Sequence, residues 1–283
     1  MQIGMIGAGK VGCSIGKYLV EHDVPVAGYY SKSKESVDVA ATFTKTRAFE
    51  SLEQLVSSCD MIFISTPDDA IEKVWQECCG YSFDKKIVCH FSGSLSSEVF
   101  SNREEKGVCA CSLHPMYAFS DKFTSYLKLN PVMFTAEGDE EALSVVCPIF
   151  TGIGNEVCVI PSHQKVRYHA AASMISNMMV GLYEMSIRML WDCGFEKNAA
   201  RKLVQPLVQG NVARVLESSP EEALTGPIER NDVETVEKHL KQLLQRERNV
   251  YVNLGLELTE IASRKNPDRD YTAITDMLRW YTL

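Results

Sequence analysis

Gln2-Ile3-Gly4-Met5-Ile6-Gly7-Ala8-Gly9-Lys10-Val11-Gly12 opens the chain, and its reading governs the rest. Residues 2–6 are an apolar segment of the length of a short buried strand, and the glycines follow without a spacer. Val11, Ile15, Tyr18 and Leu19 then recur at helical spacing. Strand, G-x-G-x-x-G and helix in that order make the turn expected of a dinucleotide-binding unit. Gly7 permits the tight turn, Gly9 lets a pyrophosphate approach the backbone, and Gly12 lets the helix close onto the strand. Ala8, Lys10 and Val11 complete the loop. Its helix end offers unpaired N–H groups and a positive dipole end to phosphate. The competing reading is a glycine turn that serves structure alone.

In such a unit the end of the second strand, here residues 25–30, faces the adenosine ribose, and an NAD-preferring site places Asp or Glu there. This chain has Ser31-Lys32-Ser33-Lys34. A carboxylate would repel a 2′-phosphate, whereas hydroxyls and ammonium groups hold it, so the stretch favours NADP over NAD. A solvated Ser/Lys surface turn is the plainer alternative. Downstream, strand-like segments at 46–49, 60–65, 86–90 and 108–113 alternate with helix-like segments at 51–58, 68–78 and around 95–105. That alternation predicts a mostly parallel, doubly wound α/β sheet. Residues 132–135, 140–150 and 156–160 extend it by two strands and a helix, and Pro161 closes the domain.

Ligands of such sheets lie beyond the carboxyl ends of the strands. Those ends are Gly7–Gly9, Ser31–Lys32, Thr66–Pro67, His90–Gly93 (with Ser92) and His114–Pro115. His114 is a candidate acid/base able to polarise or protonate a carbonyl or imine, or else a loop hydrogen-bonder. His90 reads more simply as a residue pointing into the sheet.

From Ser162 onward the pattern is helical only, so the predicted domains are 1–161 and 162–283. A long helix over 163–193 is apolar on nearly every face and should be buried, within its domain or across a dimer. Lys165, His169, Ser173 and Asn177 recur on it every four residues as one polar stripe, which either faces a cleft or is solvated. Residues 196–217 continue as helix, with Pro206 expected to break or kink it. Ser219-Pro220 reads as a capped helix start, and a turn-rich loop at 224–232 ends in an Asn/Asp cap. One long final helix is expected from Val233 to Ile261. Arg230 in the preceding loop is the best cation for a substrate anion, with an ordinary surface arginine as the alternative.

The formal net charge of −8, with no basic tract, argues against nucleic-acid binding. The longest uncharged stretch of the second half, 170–183, is too short to span a bilayer. Ten cysteines without paired zinc spacing, and no secretory signal, read as reduced thiols of a cytoplasmic protein with no metal site.

Taken together, Gly7–Gly12, Tyr30-Ser31-Lys32-Ser33, His90-Phe91-Ser92-Gly93, His114-Pro115, Tyr168-His169-Ala170-Ala171 with Asn177, and Leu224–Pro227 through Arg230-Asn231-Asp232 to His239-Leu240 resemble one family. It is the Rossmann-like family built on domain of unknown function 2520, a relative of pyrroline-5-carboxylate reductase and the 6-phosphogluconate dehydrogenase group. The family prefers Arg-Gly-Asp where this chain has Arg230-Asn231-Asp232, and Asn also tolerates left-handed geometry. The resemblance implies a Rossmann sheet followed by an all-helical C-terminal domain, an NADP-type site, and a homodimer formed through the helices. Related dehydrogenases use a Lys and an Asn on the equivalent helix, although Lys165 and Asn177 stand further apart than that pair. The expected activity is NADP-dependent hydride transfer to or from a small carbonyl, hydroxy or imino substrate. His114 would be the acid/base, with Lys165, His169 and Asn177 orienting the substrate and Arg230 clamping it. A non-catalytic NADP-binding sensor and a deazaflavin-dependent reductase are the alternatives.

Overall fold

A computed structural model describes residues 1–83 and 85–282. The chain divides into two compact units, Met1–Ser176 and Asn177–Leu283. The division falls inside the long helix rather than at Pro161, so the start of that helix belongs to the sheet unit.

The first unit holds β1 (Ile3–Ile6), α1 (Lys10–Glu21), β2 (Val26–Tyr30), α2 (Lys34–Thr44), β3 (Arg47–Ala48), α3 (Leu52–Ser58), β4 (Met61–Ile64) and α4 (Asp68–Cys78). It continues through β5 (Ile87–His90), β6 (Cys109–Pro115), β7 (Phe134–Gly138), α5 (Glu140–Gly152), β8 (Val157–Val159) and α6 (Lys165–Ser173). Sheet order is β3-β2-β1-β4-β5-β6-β7-β8. All neighbours pair in parallel except β6 and β7, which are antiparallel. The order reverses at β1, and there the glycine loop leaves the sheet, as a doubly wound fold requires. Strands β1 and β4 are buried along their whole length, which explains their unbroken apolar sequences. Ile15 and Leu19 of α1 pack with Met5, Phe63 and Leu113 on one face of the sheet. Leu55, Trp75 and Phe100 fill the other.

The helix expected around 95–105 is replaced by two 3₁₀ turns, Ser97–Val99 and Glu104–Lys106. Glu137 binds both the N–H and the hydroxyl of Ser97, and Asn102 takes a left-handed φ of 58°, so neither end can propagate an α-helix. The long helix of 163–193 is present, but residues Met174–Met178 form a π turn between α6 and α7 (Met179–Asp192). Its wider i→i+5 winding breaks the four-residue polar stripe between Ser173 and Asn177.

The second unit contains α7, α8 (Lys197–Glu217), α9 (Pro220–Ala223), α10 (Val233–Gln242), α11 (Gln245–Lys265) and α12 (Thr272–Trp280). Pro206 lies inside an unbroken α8; the carbonyl it deprives of a donor, on Lys202, belongs to an exposed residue and can be hydrated. The expected single final helix is two. Leu243 and Leu244 are extended, and the Glu247 carboxylate accepts the Leu244 N–H at 3.0 Å, starting a new helix. Both predicted caps are present: Ser219 Oγ accepts from the Glu222 N–H, and Asp232 from that of Thr235. Asn231 does adopt a left-handed φ of 60°. The unit's core is Val236, Leu240, Val252, Ile274 and Leu278 with their neighbours. Much of α7 and α8 is exposed, including Met179, Val180, Leu182, Leu207 and Leu216. Five cysteines (13, 59, 78, 89 and 111) are buried, while Cys158 and Cys193 are exposed. Among the described residues, no helix is long and apolar enough to cross a membrane and no cluster of metal-binding side chains occurs.

Candidate functional site

The glycine loop joins β1 to α1 with Gly7 at φ 105°, a conformation that L side chains rarely adopt. A Cβ on Gly7 would lie 2.8 Å from Ser65 Oγ, and one on Gly12 would lie 2.5 Å from the Gly7 carbonyl. A Cβ on Gly9 would meet nothing within 4 Å. Gly7 and Gly12 therefore serve close packing, and Gly9 marks the open side of the loop. No side chain caps α1, so its first N–H groups face outward at the positive end of the dipole.

A cavity of about 200 Å³ adjoins the loop, lined by Gly7, Ser31, Lys32, Thr66, Pro67 and Lys73 among others. Lys32 Nζ stands 3.3 Å from Glu77 Oε1 at its rim. Ser33 is committed locally, its hydroxyl capping α2 through the Ser36 N–H. Thr66 Oγ1 is buried with no hydrogen-bond partner, a group that costs free energy unless a ligand or water satisfies it. An open glycine turn, an orphaned hydroxyl and two lysines are what a phosphorylated dinucleotide would need here.

Further along the same sheet edge, the ends of β5 and β6 and the first turns of α6 bring side chains together. Lys165 is 1% exposed, and its Nζ donates to the Ser92 carbonyl and to Ser112 Oγ, both at 2.8 Å. Ser112 donates onward to Glu137 Oε1 at 2.7 Å. His114 Nδ1 lies 2.8 Å from the Tyr168 hydroxyl, and the His114 and His169 ring centres are 6.0 Å apart. Gly93 sits against both rings; a Cβ there would approach His114 Nε2 to 2.8 Å and collide with His169. Asp68, at the start of α4, accepts from the hydroxyls of Ser92 (2.7 Å) and Ser94 (2.8 Å).

Electrostatics follow from burial. Desolvation, followed by the neighbouring Lys165 and His169, pushes His114 down to about 4, so its imidazole is neutral near pH 7. Desolvation also lowers Lys165, with the Glu137 carboxylate the largest opposing influence. Tyr168 is raised by burial and stays a phenol. The result is a neutral imidazole and a buried ammonium side by side.

His114, Lys165, His169, Ser92 and Gly93 thus converge in the first unit. Asn177 and Arg230 belong to the second, both on exposed positions, Asn177 in the π turn and Arg230 in the loop before α10. His90 is buried at the end of β5 and ties down the loop that follows: its Nδ1 accepts from the Ser92 N–H at 3.1 Å and its Nε2 lies 3.2 Å from the Ser96 carbonyl. Sequence reasoning passed over Ser65, Ser112 and Glu137. Ser112 shares its strand face with His114 by simple alternation. Glu137 is a carboxylate in an otherwise apolar strand, a signal that required the strand to be extended past 135.

Comparison with known proteins agrees with this architecture. Residues 1–115 match the Rossmann-like domain model, and residues 132–258 match the domain of unknown function DUF2520. No curated relative matches the chain. Protein TM1727 from Thermotoga maritima is 25% identical with a TM-score of 0.75, over 93% of this chain and 99% of that one. BF3122 from Bacteroides fragilis, a candidate NADP oxidoreductase, is 22% identical with a TM-score of 0.71, over 92% and 98%. Pyrroline carboxylate reductase from Plasmodium falciparum, solved with NADP bound, is 17% identical with a TM-score of 0.59, over 94% and 96%. The two matches follow one another in the order that the sequence motifs resemble, a Rossmann-like segment and then a DUF2520 segment.

Proposed function

We propose that the protein is an NADP-dependent oxidoreductase acting on a small carbonyl, hydroxy or imino compound. The observation that carries this reading is the pairing, on one sheet edge, of an open glycine turn with a buried Lys165–His114 cluster. Structural neighbours named as NADP-binding reductases support it. NADP supplies or accepts the hydride when bound; the chain supplies position and charge. Gly7–Gly12 and the α1 N-terminus take the pyrophosphate, and Ser31 and Lys32 take the 2′-phosphate. His114 Nδ1 pairs with the Tyr168 hydroxyl, which leaves Nε2 next to Gly93 as the ring nitrogen open to a substrate. There a neutral imidazole with its proton on Nε2 would hydrogen-bond the substrate oxygen or nitrogen and polarise it. Lys165 has three donors, of which two hold Ser92 and Ser112, and the third is free to orient the substrate. His169 closes the other side of Gly93.

Thermal melting tests the cofactor reading. NADPH at a hundredfold excess over its Kd should stabilise the protein by about 2.7 kcal/mol, more than NADH at equal concentration. Lys32→Ala should reduce NADPH affinity about tenfold and leave NADH nearly unchanged, as expected for one charged contact of ~1.5 kcal/mol. NADPH oxidation against a panel of small aldehydes, keto acids and cyclic imines tests the chemistry. Turnover should fall about 10²–10⁴-fold in His114→Ala. NADPH binding without turnover across the panel would instead favour the sensor reading.

The exposed apolar faces of α7 and α8 support a homodimer through the helical unit. Sedimentation should give twice the 31.6 kDa chain mass, and Leu207→Glu should shift it to the monomer. A monomeric wild type would remove the dimer from the proposal.

A further inference from the structure

The geometry points to Glu137 as a positioning residue: acting through Ser112, it holds Lys165 as a fixed ammonium at the site. An ammonium withdrawn from water is unstable without a counter-charge, and Lys165 is among the most deeply buried side chains of the protein. The hydrogen-bond chain gives it one. Lys165 Nζ donates to Ser112 Oγ, whose hydroxyl proton then goes to Glu137 Oε1. The Ser97 amide, which can only donate, reaches the same oxygen at 2.6 Å, and the Ser97 hydroxyl donates to Oε2 at 3.2 Å. Each of these bonds is donated to the carboxylate, so the chain of bonds runs in one direction, from ammonium to carboxylate.

Glu137 itself is 2% exposed and borders a small opening of about 170 Å³ shared with Ser97, Glu98, Pro161 and Ser162. Other groups facing Lys165 are Asp68 from α4, Cys89 and His90 from β5, and Cys111 and His114 from β6. Asp68 is already engaged by the hydroxyls of Ser92 and Ser94, and His90 and His114 are held neutral by burial. Glu137 is therefore the carboxylate hydrogen-bonded through a single hydroxyl to Lys165. Its charge is what keeps Lys165 cationic in a site withdrawn from water. The value of this device depends on the oxidoreductase reading, but its measurement does not.

The test is an NMR titration of the Lys165 side chain in isotopically lysine-labelled full-length protein without cofactor, assigned by loss of the signal in Lys165→Met. Glu137→Gln keeps the shape and removes the charge. Its Lys165 midpoint should fall by about one to three pH units relative to wild type. Ser112→Ala should move it in the same direction by less, and Glu137→Asp should restore part of the shift. An unmoved midpoint in folded Glu137→Gln overturns the inference. Where that variant fails to fold, an unmoved midpoint in Ser112→Ala overturns it equally. Absence of NADPH binding by the wild type would overturn the oxidoreductase reading alone.

Discussion

Lowering the pH from about 6.5 to about 4 is expected to remove about 3 kcal/mol of stability for each of two histidines, His90 and His114. Both are pushed down to about 4 chiefly by burial, against an ordinary value of 6.5. Unfolded, each takes up a proton as the pH falls through about 6.5. Folded, each stays neutral until about 4. Between those limits the unfolded chain binds more protons, so stability is complete above pH 6.5 and declines as acid is added. A domain stable by 5–15 kcal/mol cannot lose such a sum without a large fall in melting temperature. Other acid-sensitive groups act lower. The Arg103 guanidinium holds Asp139 below its ordinary value, so its contribution is lost only beneath the histidine window. Melting temperature recorded from pH 8 to pH 4 should show the decline, and His90→Gln should remove about half of it. His90 is the cleaner probe because both ring nitrogens are taken up by the loop at Ser92 and Ser96. A melting temperature flat from pH 6.5 to 4.5 would refute the assignment of both rings as buried and neutral.

What the chain disclosed in advance was whatever is encoded locally. The glycine turn, the sheet alternation and the caps at Ser219 and Asp232 depend on residues a few positions apart, and all are present. Contacts across the fold were not visible in that way. The polar stripe points to Lys165, but not to its link through Ser112 to Glu137, on a strand that pairs antiparallel with β6. Along the stripe, the π turn at Met174–Met178 changes the winding between Ser173 and Asn177, which a four-residue spacing does not foretell. Glu247 lies within the stretch expected as one final helix, yet it is buried and its carboxylate starts the second of two. In each case the missing information was a partner supplied by tertiary structure. Patterning shows which face a residue occupies but not what it meets there.

Gly12→Ala and Gly9→Ala should separate the packing role of the glycine loop from its binding role. The dinucleotide fingerprint commonly tolerates Ala at the third glycine. Here it should not, because Ser65 occupies that space. Its hydroxyl donates to the Ile6 and Gly7 carbonyls at 3.2 and 3.1 Å, and a methyl group on Gly12 would meet both that hydroxyl and the Gly7 carbonyl. The Gly7 carbonyl is backbone and cannot swing aside, so the helix must shift away from β1. Overpacking of this kind costs about 1–3 kcal/mol and also displaces the N–H groups meant for phosphate. Gly12→Ala is therefore expected to melt earlier and to lose about 100-fold in NADPH affinity, the equivalent of ~2.7 kcal/mol. At Gly9 the new methyl would enter open space, with φ −78° and ψ −167° accessible to any residue. Gly9→Ala should then melt within about 0.5 kcal/mol of wild type, as inert surface substitutions do. The same methyl would stand where the pyrophosphate must approach, so stabilisation by NADPH should disappear. Melting curves of the three proteins with and without NADPH decide the matter. A Gly9→Ala protein that NADPH still stabilises like wild type would place the cofactor elsewhere on the molecule. A Gly12→Ala protein that melts like wild type would show that Ser65 yields, and that the loop has slack the geometry denies it.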